Sequence, residues 1–226
     1  VAWDVKDVAW AGLLVVGLLL GAAMLLAVGG LWLRVGAGVR DASALARLFL
    51  AVAESLFLVP AWVFSVRKYG VGWRDLGLRR FHAGRGCLAA AGLFCMSLWV
   101  NLLWGLVLVW LKWPGQREIR PLLGGRAAEL ALAVIGLGLV APFAEEVFFR
   151  GFVFAALDKR LGLWRAVAID ALLFSVLHLT PSVIPPLFVL GVALCLLYRF
   201  TGSIWPGILL HASINCLAIA VTWVLG

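Results

Sequence analysis

Apolar residues occur in long blocks along this chain, and most polar residues lie between the blocks. No alternation of apolar and polar positions indicates a strand. Most blocks approach or exceed the roughly 20 residues that one helical crossing of a bilayer needs. We therefore predict an all-α fold, a polytopic membrane helical bundle of about seven to eight transmembrane helices in a single membrane domain, 1–226. The predicted spans lie near 8–33, 44–66, 87–111, 127–157, 164–178, 183–200 and 204–224.

Composition agrees with a membrane protein and changes how the charge is interpreted. The chain is 65% hydrophobic and 13% charged, whereas soluble domains are about 25% charged. The net charge of +8 comes largely from lysines and arginines between the apolar blocks, where they face membrane surfaces. We expect the bilayer as a partner and no nucleic acid. The Leu-, Ala- and Gly-rich composition suggests the inner (cytoplasmic) membrane of a bacterium.

Basic loops give a partial prediction of topology. The loop 67–86 carries six lysines and arginines, and the positive-inside rule places it in the cytoplasm. The amino terminus and the loop 158–165 then face the same side. The loop 112–126 falls on the opposite side yet is also basic, so the orientation stays open.

The fourth span, 127–157, is too long for one simple crossing, and we expect Pro142 to kink it. Its second half carries three charges. Glu146 and Arg150 are four residues apart, on one helix face, where they can form a structural ion pair. Glu145 lies about 100° further round the helix and has no charged partner at helical spacing. A carboxylate inside the membrane is a candidate for function, so Glu145 is a candidate general base.

Later helices carry further polar groups. In FSVLH (174–178), Phe174 and His178 are four residues apart, and in HASIN (211–215) so are His211 and Asn215. Each pair alone fits core packing or hydrogen bonding between helices. Polar groups at similar depth on three helices favour one shared, water-accessible site. Asp170 is a further candidate, while Glu54 and Asn101 stand alone in their spans.

Two chemistries fit these residues. Glu145 could take a proton from a water that His178 orients, while His211 and Asn215 donate hydrogen bonds to an oxyanion. Alternatively, Glu145, His178 and His211 could ligate zinc and leave one position open. The HExxH zinc signature is absent, and Ser175 and Ser213 lie in no GxSxG elbow. We favour chemistry without a metal or other cofactor.

The same residues resemble the motifs of a known family. EEVFFR (145–150), followed by Gly151, resembles EExxxR with its usual glycine, FSVLH resembles FxxxH, and HASIN resembles HxxxN. Together, in this order, they resemble the CPBP family of CAAX proteases and bacteriocin-processing intramembrane proteases. The resemblance is close over the predicted core, 127–224.

The resemblance implies an intramembrane endopeptidase that cleaves membrane-embedded or lipid-anchored polypeptides. Glu145 and His178 would activate water, and His211 and Asn215 would stabilise the oxyanion. Glu146, Arg150 and Phe174 would support the site. A zinc-dependent version of this protease and a non-catalytic immunity or scaffold protein remain alternatives. An ion or proton transporter is less favoured because the chain shows no internal repeat.

Overall fold

The structure, a computed structural model, describes residues 1–36, 52–114, 123 and 125–225. These residues contain helices and no strand, which confirms the predicted all-α bundle. We number the helices α1 (Val5–Gly36), α2 (Leu58–Ala61, with a π-helical turn at Trp62–Arg67), α3 (Ala83–Trp110), α4 (Ala127–Leu161), α5 (Leu163–Val176), α6 (Ile184–Thr201) and α7 (Trp205–Leu225).

Five helices among the described residues are long and apolar enough to cross a membrane: Val5–Gly30, Ala83–Trp110, Ala127–Leu161, Pro181–Thr201 and Trp205–Leu225. They correspond to five of the seven predicted spans. The predicted span 44–66 lies partly outside the described residues.

The predicted span 164–178 corresponds to helix α5, whose ends differ from the prediction by one and two residues. Helix α5 has 14 residues and ends at Val176. Leu179 follows with a φ of 53°, and a 3-10 turn begins at Pro181. A proline disfavours helical backbone in the residue before it, so the chain reverses here. Helix α6 then packs closely along α5.

Helix α4 stays continuous through Pro142 rather than being divided there. It alternates α-helical segments with two π-helical stretches, Val134–Val140 and Val147–Phe154. Wider turns of this kind interrupt the usual hydrogen-bond ladder. The interruption accommodates Pro142, which has no backbone N–H to donate. The segment Val147–Phe154 is buried on all sides, so the second half of α4 forms the centre of the bundle.

Contacts at one end of the bundle test the predicted topology. Lys159 Nζ donates to the Val1 carbonyl at 3.0 Å, and Lys68 forms an ion pair with Asp7. That hydrogen-bonded pair raises the pKa of Lys68. The amino terminus and the loops 67–86 and 158–165 therefore lie on one side, as predicted. Which side of the membrane this is remains a prediction.

The loop between α2 and α3 is built into the bundle rather than lying over it. Leu76 is fully buried, and a Cβ on Gly151 would overlap the Leu76 carbonyl oxygen. Glycine at 151 is therefore required for this close approach. Gly77 has a φ of +85°, and its carbonyl accepts a hydrogen bond from Ile204 N at 3.0 Å. The loop is thus fixed to α4 and to the start of α7.

Candidate active site

The three charges of α4 lie inside the protein. Glu146 and Arg150 are fully buried, and Glu145 is 7% exposed. They occupy the end of the α-helical segment Ala141–Glu146 and the π-helical stretch that follows it. Helices α5, α6 and α7 pack around this part of α4, so the groups are removed from both lipid and bulk water.

Arg150 is the centre of a buried ionic cluster. Its Nη1 lies 3.0 Å from Glu146 Oε1, the partner expected from the i,i+4 spacing. Its Nε lies 3.7 Å from Asp170 Oδ2. Cys195 Sγ in turn donates to Asp170 Oδ2 at 3.0 Å. Arg150 therefore joins α4 to α5, and the cluster extends to α6.

His211, nearly two helical turns into α7, faces both glutamates. Its Nδ1 lies 3.2 Å from Glu146 Oε1, and its Nε2 lies 4.0 Å from Glu145 Oε2. The Glu146 carboxylate accepts hydrogen bonds, so Nδ1 carries a proton and donates to it, and Nε2 points towards Glu145. Gly207 permits this approach, because a Cβ there would lie 2.9 Å from Glu146 Oε2.

Phe174 is the common wall of the site. Its ring centroid lies 5.1 Å from that of His178 and 5.6 Å from that of His211. The guanidinium carbon of Arg150 sits 4.3 Å from the same centroid, a cation–π distance. One aromatic ring therefore packs against the ionic cluster and both histidines.

His178 is exposed at the end of α5, unlike the buried His211. Its Nδ1 lies 2.8 Å from the Phe174 carbonyl oxygen. A carbonyl can only accept, so Nδ1 donates, and Nε2 of the neutral ring is left as a hydrogen-bond acceptor. The predicted pairing of Phe174 with His178 on one face is thus observed.

Asn215 forms a hydrogen bond to the backbone of α4 that the HxxxN spacing does not predict. Its Nδ2 donates to the Leu137 carbonyl at 2.9 Å, and Cys216 Sγ lies 3.9 Å from the Gly138 carbonyl. The N–H of residue 142 would pair with the Gly138 carbonyl in an α-helix and with the Leu137 carbonyl in a π-helix. Pro142 has no N–H to offer to either. Asn215 has a second N–H that this contact does not use.

Glu54 is a site residue that sequence reasoning missed. It stands alone in its span, yet its carboxyl group lies close to that of Glu145. Phe57 holds the segment in place, with its ring centroid 5.2 Å from Phe148 and 5.8 Å from Phe149. A lone intramembrane carboxylate was the available signal. It did not reveal the partner, because the two glutamates are far apart in sequence.

The structure therefore brings together Glu145, Glu146, Arg150 and His211 by direct contacts. It adds Glu54 and Asp170 to this group. His178 packs against the Phe174 ring, which also contacts His211. Asn215 lies one turn after His211 on α7. Within the described part of the chain, no three His, Cys, Asp or Glu side chains are arranged to hold a metal ion.

Comparison with known proteins supports the family resemblance over the part of the chain that carries the site. Residues 127–217 match the family described as "Type II CAAX prenyl endopeptidase Rce1-like". The chain is also similar to the "Putative membrane peptidase YdiL" of Bacillus subtilis (strain 168), with 27% identity over 88 residues, 39% of this chain and 36% of that protein. No solved structure matches significantly. The resemblance predicted from the three motifs is therefore confirmed over 127–217, and the chain covers about a third of the length of the relative.

Proposed function

We propose that this protein is an intramembrane endopeptidase of the CAAX-protease type, which hydrolyses peptide bonds with a water activated by Glu145. The observation that carries the proposal is the facing pair of Glu145 Oε2 and His211 Nε2, 4.0 Å apart in a buried setting. This separation is too long for a direct hydrogen bond and suits a water bonded to both groups. Glu145 Oε2 has no hydrogen-bond partner among the described residues.

The proposed reaction uses groups from three helices. Glu145 removes one proton from the water, and His178 Nε2 accepts a hydrogen bond from the other, so that the water oxygen adds to the scissile carbonyl carbon. The Nε2–H of His211, which donates to the water oxygen before attack, then donates to the resulting oxyanion together with the free N–H of Asn215. Glu145 then returns its proton to the leaving nitrogen, which breaks the C–N bond. No step requires a metal.

The supporting residues hold these groups rather than react. Glu146 orients His211 through Nδ1, and Arg150 compensates the buried charge of Glu146. Phe174 packs against both imidazoles. This division of roles follows the contacts: Glu145 and His178 are the groups with a reactive atom not already committed to the ionic cluster.

The buried site favours substrates that arrive through the membrane. We therefore propose membrane-embedded or lipid-anchored polypeptides as the substrate class and the bacterial inner membrane as the location.

A peptide library, each member in a lipid-anchored and an anchor-free form, is mixed with proteoliposomes and analysed by mass spectrometry. Anchored members should be cut at least about 10-fold faster, because anchoring raises their local concentration. Equal rates for both forms, or no cleavage above the Glu145→Gln background, would contradict the proposal.

Glu54 is expected to position the Glu145 carboxyl group. Glu54→Leu removes the polar group next to Glu145 and should lower kcat by about 10-fold, since small displacements of a reacting group are costly. Glu54→Gln keeps a hydrogen-bonding side chain and should stay within about 3-fold of wild type. Initial cleavage rates and melting temperatures in detergent check both variants. A Leu variant with the wild-type rate would remove Glu54 from the site.

A further inference from the structure

A basic cavity lies at the end of the bundle that carries the amino terminus. Its volume is about 390 Å³, and it is lined by Arg74, Leu78, Arg79, Arg80, Phe81 and Trp205. Three guanidinium groups and three apolar side chains thus share one concave surface. No carboxylate lines it, and nearby Asp75 is turned away to accept a hydrogen bond from Gly72 N at 2.9 Å.

The cavity is a built feature and not a chance gap between mobile side chains. Ser203 Oγ donates to the Arg79 carbonyl at 2.7 Å, and Arg79 Nε donates to the Gly202 carbonyl. Together with the bond from Ile204 N to the Gly77 carbonyl, these contacts fasten the loop to the turn between α6 and α7. The two walls of the cavity, the loop and Trp205, therefore hold a fixed spacing.

The arginines in the cavity are uncompensated. Within the described part of the chain, neither Arg74, Arg79 nor Arg80 forms an ion pair. Arg74 and Arg80 are exposed, with their guanidinium groups free to bind an anion. A guanidinium matches the oxygens of a phosphate group with two parallel hydrogen bonds.

The position of the cavity favours the phosphate of a lipid headgroup as its ligand. Phe81 and Trp205 stand at the starts of α3 and α7, two of the membrane-spanning helices. Aromatic rings at the ends of spans mark the headgroup level of a bilayer. The arginines then lie where lipid phosphates lie, and Leu78, Phe81 and Trp205 face the beginning of the acyl chains.

We propose that this cavity binds the phosphate of an anionic phospholipid. This site is separate from the proposed peptidase chemistry and does not depend on it. It does touch the catalytic helix, since the Trp205 ring centroid lies 6.2 Å from that of Phe143, two residues before Glu145. A bound lipid would therefore brace the first turn of α7 against α4.

The test is a titration of the purified full chain in detergent, read by native mass spectrometry. Phosphatidylglycerol is compared with phosphatidylcholine of the same acyl chains and with inorganic phosphate. The variant Arg74→Gln/Arg80→Gln is compared with Arg160→Gln/Arg165→Gln, which removes two exposed arginines from the same end of the bundle. Melting temperatures establish that both variants are folded.

Wild type should bind phosphatidylglycerol at least about 10-fold more tightly than phosphatidylcholine. The Arg74→Gln/Arg80→Gln variant should lose on the order of 10-fold in affinity for phosphatidylglycerol, since each basic group near anionic lipid contributes about 5-fold. The Arg160→Gln/Arg165→Gln variant should keep wild-type affinity. Equal losses in both variants would mean non-specific surface charge, and equal binding of inorganic phosphate would mean a small-anion site. Either result overturns the proposal.

Discussion

Replacing Glu145 with glutamine is expected to lower the rate of peptide cleavage by about 10²- to 10⁴-fold, the usual contribution of a general base. Glutamine keeps the shape of the side chain, but it cannot accept a proton. Melting temperature should change little. The measurement is the initial rate of cleavage of an anchored peptide by protein in proteoliposomes, with and without a chelator.

The matched control is Asp158→Asn, on the same helix. Asp158 forms a partly exposed pair with Arg199 at 3.5 Å, and such pairs contribute about 1 kcal/mol or less. Its cleavage rate should equal wild type. A chelator should leave wild-type cleavage unchanged. Loss of cleavage on chelation, restored by zinc, would show that the metal-free mechanism is wrong, and full activity in Glu145→Gln would exclude Glu145 as the base.

The second large effect is expected on stability, from Arg150→Ala. This change leaves Glu146 and Asp170 buried without their cation, and Glu146 is then compensated only through His211. Breaking a buried ion pair by removing one partner costs about 3–5 kcal/mol. We expect low yields of folded protein and a lower melting temperature. Cleavage should fall with the folded fraction.

Arg160→Ala is the control for that experiment, because Arg160 lies on the same helix and is exposed. Surface substitutions of this kind change stability by about 0.5 kcal/mol or less. Adding Glu146→Gln to Arg150→Ala should recover part of the lost stability, since it removes one stranded charge. An Arg150→Ala protein with the yield and melting temperature of Arg160→Ala would contradict the structural role assigned to Arg150.

Local features of the chain were predictable from sequence. The apolar blocks predicted the helical bundle, and i,i+4 spacing predicted the contacts of Glu146 with Arg150 and of Phe174 with His178. Both follow from helix geometry alone. The apolar block 164–178 likewise predicted α5, which ends just before the turn at Leu179 and Pro181.

Contacts between helices were the part that sequence could not give. Glu54 appeared isolated and Asp170 was an unplaced candidate, yet they meet Glu145 and Arg150. Which faces of two apolar helices pack together depends on side-chain shape along their whole length. A periodic pattern identifies a polar group inside the membrane but does not choose its partner.

The α4 backbone just before Pro142 helps to set the distance between the catalytic groups of α4 and α7. Two consecutive carbonyls that precede the proline, those of Leu137 and Gly138, meet two consecutive residues of α7, Asn215 and Cys216. These contacts fix the position of α7 along α4, residue by residue. His211 is one turn from these contacts, so its distance to Glu145 is set by main-chain geometry. Adding one residue between His211 and Asn215 would move the imidazole off the glutamates even if every side chain in the motifs were kept.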